Sequence, residues 1–171
     1  MANYDILTFL EYYTDKSSVL DGSGKRNPSN AYQNFYQTEQ NLTADTDCSQ
    51  SINFNYLAFS ASGFSSIEAS SLGNLNIELA ATADIIDLTD SAIGSDILII
   101  ASLYIQNIGQ ESLNSNATLI CRYIGTIDEA SVTDETVSWV VTPAISKQKA
   151  QVPSRRVSSD LLGRYVNTWI I

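Results

Sequence analysis

The stretch "NLNIELA" sets Leu75, Ile77 and Leu79 against Asn74, Asn76 and Glu78. This strict alternation predicts a strand with one buried face. Ile52, Phe54 and Tyr56 alternate in the same way in "SINFNYLAF", so the ordered core is expected to begin near Ser51. In "ADIIDLTDSAIG" the period changes: Ile85, Ile86, Leu88, Ala92 and Ile93 share one helical face. Thr82 or Asp84 can cap the start and Gly94 stands at the stop, which predicts a helix over about 83–94. "ILIIASLYI" is apolar throughout, as expected of a strand covered on both faces. "ATLICRYIGTI" and "TVSWVVTPAI" flank the acidic stretch "DEASVTDE" and predict a long antiparallel hairpin.

The N-terminal part has less pattern. "NYDILTFLEYYT" suits a strand better than a helix. Residues 14–50 are rich in Ser and Asn, with two glycines and a proline, and predict a loop or arm, with Tyr32, Phe35 and Tyr36 sharing a short helical turn. A loop of that length is usually functional or waits for a partner. The expected architecture is mainly β: an antiparallel β-sandwich or barrel with one flanking helix, in a single domain over residues 1–171.

Composition narrows the function classes. The chain has 171 residues, 44% hydrophobic, and no histidine. Without histidine there is no Ser-His-Asp or Cys-His arrangement and no His-ligated metal. No apolar run approaches the roughly 20 residues that cross a bilayer, and the start lacks the basic region of a signal peptide. Cys48 and Cys121 read as two separate thiols. "DGSGKR" resembles a phosphate loop only superficially, since Val19 replaces the first glycine and Arg26 the Ser/Thr. Asp128, Glu129, Asp134 and Glu135 read as a solvated hairpin tip rather than a calcium site, and Asp87, Asp90 and Asp96 as polar helix flank rather than glycosidase acids. The expectation is a protein that is not an enzyme and holds no metal or cofactor.

Charge is divided unequally. The formal net charge is −10. Residues 147–171 hold five basic residues against one acid, while residues 1–146 hold four against eighteen. An acidic body repels phosphate, so no specific nucleic-acid binding is expected.

From residue 51 onward the order of segments resembles the minor tail protein L family of lambda-like phages. The resemblance rests on "FNYLAFSASGF" with "LGNLNIELAAT", on "ADIIDLTDSAIGSD" leading into "ILIIASLYI", and on "RYIGTIDEASVTDETVSWVVTPA" followed by "VPSRRVSSDLLGRYVNTW". It covers residues 51–169. It implies a tube-like β-fold and a structural role in the distal tail of the virion: a ring-forming adaptor between tail tube and hub or spike that leaves a channel for DNA. It implies a homo-oligomer, a trimer first and a hexamer second, with tail tube and hub or spike proteins as partners and no membrane insertion. Family members carry a cysteine-rich C-terminal region that binds an iron–sulfur cluster. The two cysteines here cannot supply the four ligands such a cluster normally takes. The bore is expected to be net negative or neutral, lined by the turn at Asp128–Glu135 or by Asp87 and Asp90.

Residues 153–171 are the expected assembly arm. Arg155, Arg156 and Arg164 would meet acidic surface on a neighbour, and Tyr165 and Trp169 would anchor it, because Trp, Tyr and Arg dominate interface hot spots. The competing reading makes this segment the last strand of its own domain. A hexameric distal-tail or tube-like ring protein shares nearly every feature. A cell-surface adhesin-like β-sandwich is the reading from another class.

Overall fold

Nine strands and one helix make up the structure, a computed structural model that describes residues 4–15, 19–64, 73–92, 95, 97–110, 112–113 and 115–144. At its centre β1 (Tyr4–Tyr13) and β7 (Leu98–Asn107) run antiparallel over ten residue pairs, from Tyr4↔Asn107 to Tyr13↔Leu98. Both faces are covered from Leu7 to Tyr13 of β1 and along most of β7, so apolar residues occupy both faces there. Successive side chains point to opposite sides of a strand, so Leu10 and Tyr12 enter one core while Leu7 and Phe9 enter another. The core therefore begins well before Ser51, at Leu7.

The other strands are β2 (Asn30–Gln33), β3 (Gln40–Asn41), β4 (Asn53–Tyr56), β5 (Phe59–Ser62), β6 (Leu75–Ala80), β8 (Thr118–Val132) and β9 (Thr136–Pro143). They form one sheet in the order β3-β4-β2-β1-β7-β8-β9-β6-β5. The protein is thus mainly β, with one helix among the described residues. The sheet is mixed rather than purely antiparallel, because β2 and β4 pair in parallel. That pair is made possible by the intervening residues 34–52, which return the chain to the same end of the sheet.

The sheet curls back on itself. β4 and β5 lie near opposite ends of the strand order, yet only Leu57 and Ala58 separate them. Three Cα–Cα steps span at most about 11 Å, so the two ends must meet. Leu57 N donates to Gln33 O at 2.9 Å, and Asn34 Nδ2 donates to Phe59 O at 3.1 Å, which ties β2 to the start of β5. The inner face is concave. Tyr12 of β1 and Trp139 of β9 stand three strands apart, about 14 Å in a flat sheet, yet their ring centroids are 6.3 Å apart. Of the two expected layouts, sandwich or barrel, the molecule has the curled single sheet.

Helix α1 (Ala83–Ala92) packs against this concave core through Ile85, Thr89 and Ala92. Thr82 is the cap: its Oγ1 accepts from Ile85 N at 3.4 Å and its carbonyl from Ile86 N at 3.0 Å. Ile93 and Gly94, at the expected helix end, lie outside the described residues. Trp139 Nε1 donates to Thr89 Oγ1 at 2.9 Å, and Thr89 Oγ1 donates onward to Ile85 O at 2.6 Å. Tyr12 OH donates to Leu88 O at 3.0 Å. The helix is thereby keyed to two strands.

The second core lies on the convex side of β1 and β7. It is covered mostly by residues from the segment 14–50 expected as a loop or arm, together with Phe54 of β4. Ala31, Tyr36, Leu42, Cys48 and Phe54 close over Leu7, Phe9 and Tyr104. Phe9 meets Phe54 and Tyr104 edge-on, with centroids 5.1 and 5.6 Å away. Tyr32 and Tyr36 do not share a helical turn: Asn30–Gln33 is extended, and the two rings serve opposite cores.

The predicted hairpin is β8–β9, but most of its acidic stretch is strand. Ser131 and Val132 pair with Ser138 and Val137, and the turn is closed by Thr133 and Thr136, whose backbone and hydroxyl groups bond each other.

Candidate functional site

Glu11 stands in the middle of a strand buried on both faces, with no exposed surface. An ionised carboxylate there needs a buried cation. Arg26 supplies it: Nε and Nη2 donate to Glu11 Oε2 and Oε1 at 2.9 and 3.0 Å. The same Nη2 donates to Asp45 Oδ2 at 2.7 Å. Arg122, arriving from β8, donates to Asp45 Oδ2 through Nη2, to Ser102 Oγ at 3.1 Å and to Tyr104 OH at 3.3 Å. Tyr104 OH donates to Asp45 Oδ2 at 3.0 Å, and Tyr13 OH donates to Glu11 Oε2.

Local turns aim these groups. Asp21 Oδ1 accepts from the backbone of Ser23 and Lys25 at 2.8 and 3.0 Å, and Gly24 has φ of +78°, so "DGSGKR" is a tight turn that delivers Arg26 inward. Asp45 Oδ1 accepts from Asp47 N at 3.0 Å, a second such turn. Arg26 N donates to Asp47 O at 2.8 Å, and Ser49 N to Arg26 O at 2.9 Å, so the two turns are also stitched together by backbone.

The cluster holds two carboxylates and two guanidiniums and is formally neutral. Burial alone would raise the Asp45 pKa, but the hydrogen bond and charge of Arg26, with Arg122, outweigh it and hold the carboxyl below its ordinary range. Burial would lower Arg26, and Glu11 and Asp45 more than reverse this. Burial, then Glu11, pushes the Tyr13 phenol up; burial, then Asp45, does the same to Tyr104. The Cys48 thiol, beside the cluster, is pushed up to about 12, chiefly by burial. At neutral pH this cluster therefore offers no thiolate and no phenolate, and its carboxylates are covered by arginine. Its chemistry is that of a clamp, fixing residues 19–50 onto β1, β7 and β8.

The sequence-predicted positions fall elsewhere. Arg155, Arg156, Arg164, Tyr165 and Trp169 lie outside the described residues, as does Asp96. Asp87 and Asp90 are exposed on α1; Asp134 and Glu135 are exposed at the hairpin tip, whereas Asp128 and Glu129 sit in β8 at a bulge. The four hairpin acids do not converge, and among the described residues no group of His, Cys, Asp and Glu is placed to hold a metal ion. Cys48 and Cys121 are free thiols, the first buried and the second half-buried. No helix among the described residues is long and apolar enough to cross a membrane.

A different surface emerges at one end of the sheet. The start of β1, the end of β7 and the start of β8 come together there, with Tyr4 opposite Asn107 and Ile105 opposite both Ile6 and Thr118. Tyr4, Ile6, Ile108, Leu119 and Ile120 are all exposed at this end. A shallow, mostly polar pocket of about 230 Å³ opens beside Tyr4, with Ile105, Gln106, Asn107, Gln110 and Asn116 on its wall. Sequence reasoning missed this surface because its apolar residues continue the periodicity of buried strands. No protein-family model matches the chain, and no curated protein matches it.

Proposed function

We propose that the protein is a structural subunit of a bacteriophage distal tail: a ring-forming adaptor at the tail tip, between tail tube and hub or spike, with a channel for DNA. The observation that carries this reading is the apolar end surface of β1, β7 and β8. Tyr4 and Ile6 on one face of the sheet and Leu119 on the other are left exposed there, and large apolar side chains exposed together at one end mark an interaction site. A curled sheet clamped from outside by an ion cluster suits a subunit that must keep its shape while neighbours attach. The resemblance of residues 51–169 to the tail-tip family supplies the setting. The exposed acids Asp84, Asp87, Asp90, Asp134 and Glu135 suit a bore that lets DNA slide, since such a wall leaves phosphate counterions undisturbed. A trimer is the first expectation; a hexameric distal-tail ring, which needs the same kind of surface, is the second.

Electron microscopy of assembled tails tests the reading. The expected result is a closed ring of this protein at the tail tip, whose subunits can be counted. Native mass measurement showing only single copies in the tail would sink it, as would a continuous belt of Lys or Arg around the bore.

A further inference from the structure

β8 is fifteen residues long and is only partly covered. On one side β7 pairs with residues 118–126, and on the other β9 pairs only with residues 125–132. Among the described residues no strand lies on the β9 side of Thr118–Ile124. Seven residues at about 3.3 Å each leave an open edge of about 23 Å. Natural proteins blunt edges of this length with charge, proline or a covering element. Here the sole charged residue is Arg122, and its guanidinium is turned away into the Asp45 cluster. The edge instead carries Leu119, Ile120 and Ile124, which are 40%, 52% and 46% exposed. The chain's own β9 stops short of the edge: Pro143 stands opposite Gly125, and Ala144 has already left the ladder.

We propose that Thr118–Ile124 accepts an added strand from the C-terminal segment, residues 161–171, of a neighbouring copy. This rests on the ring reading and names the contact that would join its subunits. Residues 145–171 follow the last described residue and reach up to about 90 Å when extended. A single domain of this length is about 40 Å across, so the segment is long enough to pass to a neighbour. At its end, "RYVNTWII", six of eight residues are β-branched or aromatic, the types that favour strands. Strand addition takes affinity from backbone hydrogen bonds and specificity from alternate side chains, and Tyr165 and Trp169 fall on one side of such a strand. Charge draws the tail as a whole toward a neighbour, since residues 147–171 hold five basic residues and one acid and residues 1–146 hold four and eighteen, while the added strand itself carries Arg164 alone.

The test uses full-length chains carrying Cys121→Ser. Copies with Ile120→Cys are mixed with copies carrying Ile170→Cys and oxidised mildly. The expected product is a mixed disulfide-linked dimer, at least several-fold above the yield when Asp134→Cys, on the distant hairpin tip, replaces Ile120→Cys. Yield no higher than that control overturns the proposal. So does a chain carrying both cysteines that closes within its own monomer in preference to linking two copies, because the segment then belongs to its own domain. Counting copies in assembled tails separates the two readings. A ring without the cross-link sinks the shared strand alone, and a cross-link without a ring sinks the ring alone.

Discussion

Arg26 grips Glu11 with two donors, Nε and Nη2, at 2.9 and 3.0 Å, and the Glu11 side chain is fully buried. The pair joins a Gly/Ser-rich turn to the central strand of the sheet. Breaking a buried pair from one side leaves a charge without a partner and typically costs about 3–5 kcal/mol. Arg26→Met, which buries Glu11 without its Arg26 partner, is expected to fall in that range; Glu11→Gln leaves Arg26 its Asp45 partner and is expected to cost less. At about 2–4 °C per kcal/mol for a domain of this size, the melting temperature of Arg26→Met drops by about 6–20 °C. The double replacement Glu11→Gln with Arg26→Met should cost less than the two single changes together, since neither member of the pair is then left charged without the other. Urea unfolding measures all three, and additive single effects would show that the pair is not coupled.

Acid should loosen the same clamp through Asp45. Its folded pKa lies below the unfolded value, so its contribution is complete above about pH 4 and is lost as pH falls through the folded value. Unfolding free energy should therefore fall with pH in that acid window. Asp45→Asn should be less stable near neutrality and should lose less stability on acidification than the unaltered chain. Denaturant midpoints across the acid range measure this; equal slopes for the two proteins would exclude Asp45 as the titrating group.

Some of this arrangement is legible in the sequence and some is not. The alternation of Leu75, Ile77 and Leu79 gives β6 directly, because one of its faces is solvated. The spacing of Ile85 and Ala92 with Thr82 ahead of them gives α1 for a similar reason: its inner stripe and its cap are local signals. Arg26 and Asp45 are different. Their partners lie 15, 19 and 77 residues away, and nothing local marks them as buried. A usable signal was Glu11 itself. A carboxylate between Leu10 and Tyr12, in a strand apolar on both faces, demands a buried cation, and residues 1–146 contain only four: Lys16, Lys25, Arg26 and Arg122. The open edge of β8 was hidden because no pattern along one strand tells where its neighbour ends.

Thr89 should matter for its hydroxyl rather than its shape. It accepts from Trp139 Nε1 and donates to Ile85 O, with no exposed surface of its own. Thr89→Val keeps the volume but leaves the indole N–H unsatisfied, which costs about 1–3 kcal/mol. Thr89→Ser keeps the bond and should recover most of that loss. Chemical denaturation of both variants decides it; a serine variant no better than valine would place the effect in packing alone.

Gly125 should tolerate no side chain. It lies in β8 between Ile99 and Pro143, and a Cβ there would run into the Thr142 carbonyl, with Val141 Cγ1 at 2.7 Å and Tyr123 Cε1 at 2.9 Å. Backbone cannot give way as a flexible side chain can, so Gly125→Ala is expected to cost about 1–3 kcal/mol, the usual range for overpacking. Thermal unfolding of the purified chain tests it, and an unchanged midpoint would mean that β9 shifts freely at this point.

The arm residues separate assembly from folding most cleanly. If residues 153–171 bind a neighbour, Trp169→Ala leaves the isolated chain's melting temperature unchanged and lowers its incorporation into tails. Arg155 and Arg156 are adjacent, so their side chains take different directions, and one can serve its own domain while the other reaches the neighbour. Arg155→Ala and Arg156→Ala should therefore differ, with at least one losing incorporation at full stability, because the carboxylate it meets is left stranded in the interface. The competing arrangement puts Trp169 in its own domain's core, where truncation to alanine costs about 3–5 kcal/mol. In that case Trp169→Ala unfolds the monomer while both arginine variants assemble normally. Melting curves of the three purified variants, set beside their abundance in purified tails, distinguish the two arrangements.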